Sequence, residues 1–204
     1  LLNSASALGE EKQKQLYKGI YDDSMWLINL VENLLSVTRL EDGTMNLNLQ
    51  IELVDEVIEG ALKHISRDHS DYELKFIHSE ELLLAKMDAK LIVQVIINLV
   101  DNAIKYTPRG SEIRISTFRK DNWAVISVSD DGPGISDENK KQIFDMFYTG
   151  SNRVADSRRS LGLGLSLCKS IINAHGGSIS VSDNVPHGTV FTFTLPAEEV
   201  QLHE

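Results

Sequence analysis

Two regimes of hydrophobic spacing divide the chain. From Glu10 to about Glu41, Leu16, Ile20, Leu27, Leu30, Leu34 and Val37 recur at threes and fours, which predicts one long helix with an apolar stripe close to a coiled-coil seam. Asp23 interrupts one seam position, and Glu41-Asp42-Gly43 supplies a stop, with Gly43 suited to the residue just past a helix end. A stripe of this kind must pack on a partner. From Met45 onward helical and strand patterns alternate. Met45 to Leu53 predicts a strand, and Val54 to His69 a helix with Val57, Ile58, Ala61, Leu62 and Ile65 inward. Tyr72 to His78 and Leu82 to Met87 predict strands, and Asp88 is an N-cap for a helix reaching about Tyr106. Glu112 to Arg119 and Trp123 to Ser129 alternate with period two across Lys120-Asp121-Asn122, a hairpin pattern. A glycine-rich stretch with a short helix near Glu138 to Phe144 follows. A helix over Gly164 to His175 and a strand pair, Ser178 to Ser182 and Thr189 to Leu195, close the chain. The layout predicts an α+β fold: a two-layer sandwich, with a mixed sheet carrying helices on one face and a long helix in front of it. The boundary between the two parts falls at residues 44 and 45.

Composition narrows the function classes. The chain has 204 residues, 42% hydrophobic and 25% charged, ordinary values for a globular protein. The formal charge of −10 argues against a nucleic-acid surface, which needs clustered Lys and Arg, but not against nucleotide binding. No apolar run reaches the ~18 residues of a membrane span, so a cytoplasmic domain without direct membrane contact is expected. Position 1 is not Met, and the chain is expected to be part of a longer protein. The single cysteine, Cys168, lies among Leu165, Leu167, Ile171 and Ile172 and is expected in the core.

Three stretches carry chemistry. On the helix after Asp88, the apolar face of Leu91, Ile92, Val95, Ile96, Leu99 and Ala103 is accompanied by a polar stripe of Gln94, Asn98, Asp101, Asn102 and Lys105. Asn98 and Asn102 are four apart, so their carboxamides share a face. Two neutral oxygens so placed suit Mg²⁺, which takes few protein ligands beside phosphate and water. A plain solvated helix face would look similar. Asp130-Asp131-Gly132-Pro133-Gly134-Ile135 follows a strand; the glycines allow close backbone approach, and a carboxylate there can accept from the exocyclic amine of adenine. A tight loop with acids facing water is the structural alternative. Leu161-Gly162-Leu163-Gly164-Leu165 opens a helix, where free N–H groups and the dipole suit phosphate, although a pair of packing glycines is the simpler reading. Gly188-Thr189, before the last strand, adds a weaker signal that a hairpin turn would also explain.

In this order the stretches resemble the ATP-binding domain of sensor histidine kinases, the Bergerat or GHKL fold shared with gyrase, Hsp90 and MutL. Asn98 to Pro108 resembles the N box, Asp130 to Gly134 the G1 box, Ile143-Phe144-Asp145-Met146-Phe147 the F box, Leu161 to Leu165 with His175-Gly176-Gly177 the G2 box, and Gly188-Thr189 the third glycine box. Leu34 to Gly43 is similar to the second helix of the dimerisation and phosphotransfer domain, a helical hairpin. Within the family the wording is most similar to the KdpD-type potassium and turgor sensor kinases. The resemblance implies ATP and Mg²⁺ as ligands, with Asn98 and Asn102 at the metal. It implies that Lys105 contacts phosphate, Tyr106 packs on adenine and Asp130 takes the adenine amine. Gly132 and Gly134 would shape the base pocket, and Gly162 and Gly164 would hinge a lid and cap the phosphates. Ile135, Phe147, Leu163, Leu165 and Thr189 join the implied nucleotide contacts, and Asp101 would orient or deprotonate an acceptor histidine. A homodimer through the long helix and a response regulator receiver domain are the implied partners.

Two departures touch the implied lid, about Tyr148 to Leu161: Ser160 and Leu161 stand where many relatives have Gly and Thr, and Thr149 where many have Arg or Lys. Arg153, Arg158 and Arg159 are possible substitutes. His64, His69, His78, His187 and His203 are expected at the surface, and His175 at a helix C-terminus where a cation is favourable. No pair has zinc-ligand spacing, and none carries the following acid and Thr-Pro of an acceptor site, which is expected upstream of Leu1. Gyrase-type and Hsp90-type ATPases carry Glu where this chain has Asn98, and an amide cannot activate water as a base. A nucleotide-binding module without catalysis is the other alternative, suggested by the altered lid.

Overall fold

The computed structural model describes residues 9–65, 72–149 and 162–199. The long helix α1 spans Glu10–Glu41, with Gly43 at φ +64° beyond its Asp42 cap. It leads into β1 (Gln50–Leu53), α2 (Val54–Ile65), β2 (Glu73–Ile77), β3 (Leu84–Met87) and α3 (Ala89–Tyr106). The hairpin β4 (Glu112–Lys120) and β5 (Trp123–Asp130) follows, then the short α4 (Asp137–Lys140), α5 (Gly164–Ala174), β6 (Ile179–Asp183) and β7 (Thr189–Glu198).

The strands form one seven-stranded sheet in the order β1-β3-β7-β5-β4-β2, with β6 paired to β7 beside β3. Only β2–β4 is parallel; every other pair is antiparallel, so the sheet is mixed. Alternation along β4, β5 and β7 sends Ile113, Ile115, Ile126, Val128, Phe191, Phe193 and Leu195 to one face. There they meet Ile58 and Ala61 of α2, Ile92, Val95, Ile96, Leu99 and Val100 of α3, and Leu167, Ile171 and Ile172 of α5, giving one continuous core. The opposite face is mixed: Ser127 Oγ and Thr192 Oγ1 lie 3.0 Å apart across β5–β7, and Ile77, Phe118 and Trp123 stand exposed on the same face. The two-layer arrangement with helices on one face is the predicted one.

Several boundaries differ. The predicted strand over Met45 to Leu53 shortens to Gln50–Leu53, because the preceding backbone is otherwise engaged. Thr44 and Met45 N–H donate to the Arg39 carbonyl, closing α1, and Asn48 N–H donates to Asp88 Oδ2. The helix near Glu138 to Phe144 reduces to α4, capped by Ser136, and Lys141–Phe144 continue as turns. The predicted end of α2, up to His69, reaches past Ile65 into residues outside those described. Val37, expected in a seam toward a partner helix, is fully buried in the core of its own chain, where α1 passes α5. Gln94 of α3 donates to Asn33 Oδ1 of α1 at 3.4 Å. Farther up α1, Leu16, Ile20, Leu27 and Leu34 are exposed, and so are Tyr17, Tyr21, Ile28, Val31 and Leu35 beside them.

Candidate nucleotide-binding site

α3 forms because Asp88 caps it, its carboxylate accepting from Leu91 N–H, and because its apolar positions recur at helical spacing over a buried face. The edge of that face carries Asn98 and Asn102, both half-buried. Asn98 looks across to the first residue of α5: a Cβ on Gly164 would stand 3.8 Å from Asn98 Oδ1. Its Nδ2 is buried and finds no oxygen acceptor among the described residues; the amide reaches the Cys168 sulfur, a weak acceptor. A buried amide without a strong partner costs about 1–3 kcal/mol and calls for an explanation. Beneath it Cys168 is fully buried, and burial pushes its thiol up to about 12, so it is inert packing as expected.

A second cluster forms where α3 ends against the loop after β5. Asp130 closes β5 with only 7% exposure, and its Oδ1 accepts Gly132 N–H at 2.9 Å and Thr189 N–H at 3.2 Å. Burial pushes the carboxyl above the ordinary aspartate range, while the two backbone donors pull it back. Both backbone bonds fall on Oδ1, and the Thr189 side chain also donates to the carboxyl. A Cβ on Gly132 would come within 2.6 Å of Thr107 Cγ2, so the loop lies directly against the end of α3. Gly134 adopts φ +77° and faces the Gly188 carbonyl. Gly188, at φ +116°, packs so closely that any Cβ would overlap the Asp130 carbonyl oxygen. The third glycine position, weak in the sequence, is therefore sterically obligatory. Two residues outside the expected set complete the cluster: Asn184 Nδ2 donates to the Asp130 carbonyl at 2.8 Å, and His187 Nδ1 lies 3.3 Å from the Gly132 carbonyl. Asn184 carried no local signal, because it acts on a loop distant in sequence.

The remaining expected residues divide. Lys105 and Tyr106 meet at the end of α3, with Nζ 5.1 Å from the ring centroid and the phenol exposed. Gly162, at φ +66°, is pressed on the Tyr148 backbone, and its carbonyl accepts Phe147 N–H at 3.2 Å. Phe147 itself is exposed; Phe144 is the F-box ring that enters the packing, edge-on to Phe191. Ile135 and Leu165 are partly buried and pack against the core, and Leu163 is buried. Asp101 is exposed on α3. Ser160, Leu161 and the three arginines of the lid lie outside the described residues, as do His69 and His203.

His175 corrects an expectation. It caps the C-terminus of α5 as expected, but in place of a cation it is a buried ring, 5% exposed, with Nδ1–H donating to the Ile171 carbonyl at 2.7 Å and Nε2 accepting Asp88 N–H at 3.0 Å. An imidazolium could not accept the second bond. His64, His78 and His187 are exposed as expected, and His78 Nδ1 lies 3.0 Å from Asp55 Oδ2.

The structure thus sets the Asn98 amide at the N-terminus of α5 and a buried acid ringed by glycines at the loop after β5. The sequence model of histidine kinase-, DNA gyrase B- and HSP90-like ATPases matches residues 87–199. The chain belongs to this ATPase family. Its ATP-binding domain is of the sensor histidine kinase type. The sensor protein KdpD of Clostridium acetobutylicum is 40% identical over 97% of the chain, which spans only 22% of that relative's length. The histidine kinase AdeS of Acinetobacter baumannii is 27% identical with a TM-score of 0.74, over 90% of this chain and 85% of that one. The histidine kinase ThkA, solved in complex with the response regulator protein TrrA, is 26% identical with a TM-score of 0.70, over 97% of this chain and 55% of that one. Among the described residues of this ATPase-family domain, no helix is long and apolar enough to cross a membrane.

Proposed function

We propose that this domain binds Mg²⁺-ATP and donates the γ-phosphoryl group to a histidine of a two-component sensor kinase, from which it passes to an aspartate of a response regulator. The observation that carries the reading is the approach of Asn98 to Gly164, which sets a carboxamide opposite free N–H groups at the start of α5. Asn98 and Asn102 fit Mg²⁺, a hard cation satisfied by few neutral protein oxygens. Bound there with ATP, the ion would neutralise charge on the phosphates.

The residues divide the work. Asp130 Oδ2 accepts the adenine amine, Tyr106 covers the base, and Thr189 and the glycines around Asp130 keep the pocket shallow enough for it. Lys105 leaves its place over Tyr106 to meet phosphate, and the N–H groups at Gly164 hold the far end of the chain. In the transfer a nitrogen–phosphorus bond forms at the acceptor imidazole, the bond to the β-phosphate oxygen breaks, and ADP leaves. Asp101, exposed beside Asn102, takes the imidazole proton. Asn98 supplies no base for water, which favours transfer over a hydrolytic switch.

The exposed Leu16, Ile20, Leu27 and Leu34 of α1 form a homodimer through the helical part, residues 1–44, with residues 45–204 as the catalytic unit. The likeness to KdpD supports potassium or turgor sensing at the cytoplasmic side of a membrane. Calorimetry with ATP, with and without Mg²⁺, tests the site. Incubation with γ-labelled ATP and a separate helical fragment bearing an acceptor histidine tests transfer. Metal-dependent binding followed by acid-labile label on the fragment is expected. Absence of heat with both ligands present would overturn the reading.

A further inference from the structure

The α3–α5 pair is fastened at the end remote from the nucleotide, and the fastening fixes how the two helices line up. The helices run antiparallel, as successive contacts show. Gly164 faces Asn98, Cys168 Sγ lies 3.9 Å from the Val95 carbonyl, and His175 Nε2 takes the Asp88 N–H. The middle contact is a weak sulfur one surrounded by aliphatic packing, which resists separation but not sliding. The last is directional on both sides of the ring. Nδ1 is committed to the Ile171 carbonyl of α5, which orients the imidazole, and Nε2 reaches the backbone of the α3 cap.

That cap is itself a junction. Asp88 accepts Leu91 N–H from the first turn of α3 and Asn48 N–H from the segment joining α1 to β1. Beyond His175, Gly176 turns at φ +76°, and Gly177 lies so close to the Thr194 carbonyl that no side chain fits, which pins the end of α5 to β7. Asp88 is ten residues from Asn98, about 15 Å along a helix at 1.5 Å per residue. A shift at the clamp of even part of a turn would be delivered at the other end. There a Cβ on Gly164 would stand only 3.8 Å from the Asn98 oxygen.

We propose that His175 is a positioning residue for nucleotide binding: its bond to the Asp88 backbone sets the register of α5 against α3, and so the distance between the phosphate-facing N–H groups and the metal-facing amides. The inference rests on the Mg²⁺-ATP reading of the site. It assigns His175 to the phosphate end alone, since Asp130 and its glycine ring are held by β5, β7 and Asn184 and not by α5.

The test uses this chain with three substitutions at His175. Gln carries an acceptor far enough along the side chain to replace Nε2. Asn replaces only Nδ1, and Phe keeps the ring and replaces neither. Affinity is measured by calorimetry for Mg²⁺-ATP and by ligand-observed NMR for adenosine, with thermal unfolding alongside. His175→Phe and His175→Asn are expected to weaken Mg²⁺-ATP about tenfold, the order set by one lost buried hydrogen bond, with adenosine affinity within about twofold. His175→Gln is expected to recover most of the loss. Equal loss for both ligands would show general loosening and overturn the proposal, as would Asn performing as well as Gln. Undiminished Mg²⁺-ATP binding by the folded Phe variant would overturn it while leaving the nucleotide reading intact. No binding by the unaltered chain would overturn that reading and this one together. Should the Phe variant fail to fold, the comparison of Gln with Asn decides.

Discussion

Replacing Asp130 by Asn separates recognition of the base from support of the fold. Asn keeps an oxygen where Oδ1 accepts Gly132 N–H and Thr189 N–H, so both hydrogen bonds of the native loop survive. What changes is the other position, where an acceptor becomes an amide donor facing the adenine amine, itself a donor. A hydrogen bond to a charged group contributes about 1.5–3 kcal/mol, and the mismatch removes the whole of it. The expected loss of ATP affinity is therefore roughly 10- to 140-fold, at about 1.4 kcal/mol per factor of ten. Stability should move the other way. Burial raises the Asp130 carboxyl above its unfolded value, so ionisation opposes folding. With a raised acid the stability is full below the unfolded value, near pH 4, and falls as pH rises through the folded one. The neutral Asn escapes that fall. The unliganded variant should thus melt at or above the native temperature at pH 7, with the advantage vanishing as pH approaches 4. Calorimetry with ATP and with inorganic triphosphate, together with melting curves across pH, checks both halves. Equal losses for ATP and triphosphate would refute the base-recognition argument. A lower melting temperature at neutral pH would refute the electrostatic one.

Other outcomes follow from the same geometry. Asn102→Ala should leave the melting temperature nearly unchanged and weaken ATP binding only when Mg²⁺ is present; titrations with and without the metal decide this. Gly188→Ala forces a Cβ into the Asp130 carbonyl at φ +116° and should destabilise by about 2–4 kcal/mol, read by denaturant unfolding. Gly164→Ala meets only ordinary contact and sits in a helix, where Ala is favoured by about 0.5–1 kcal/mol, so stability should hold while Mg²⁺-ATP affinity falls. Leu27→Asp on the exposed stripe of α1 should shift the chain toward monomer in analytical ultracentrifugation without altering nucleotide affinity.

Much of the fold was legible because its determinants are local. The Asp88 cap and the apolar spacing after it give α3 to the residue. Period-two alternation gives β4 and β5, and Gly43 marks the end of α1. The glycines at 132, 134 and 162 announce tight backbone before any contact is known. The strand at Met45 failed for the opposite reason. Its alternation was real, yet the N–H groups of Thr44, Met45 and Asn48 serve the ends of α1 and α3 instead of a ladder. Asn184 was invisible because its partner, Asp130, lies far along the chain.

His175 and Val37 show the limit most clearly, and they fail together for one reason. Each sits near a helix end, where sequence rules assign a histidine to the dipole and a valine to a seam. Here both ends converge on α5. Val37 is sealed against it, Leu40 packs beside it, and His175 ties its last turn to the start of α3. The segment between α1 and β1 joins the same junction through Asn48 and Asp88. A rotation or shift of α1 cannot therefore proceed without disturbing either the surface of α5 or the cap of α3. These are the two helices whose facing residues, Gly164 and Asn98, define the phosphate end of the slot. The contacts that join the long helix to the α3–α5 pair are thus tertiary ones that no periodicity encodes.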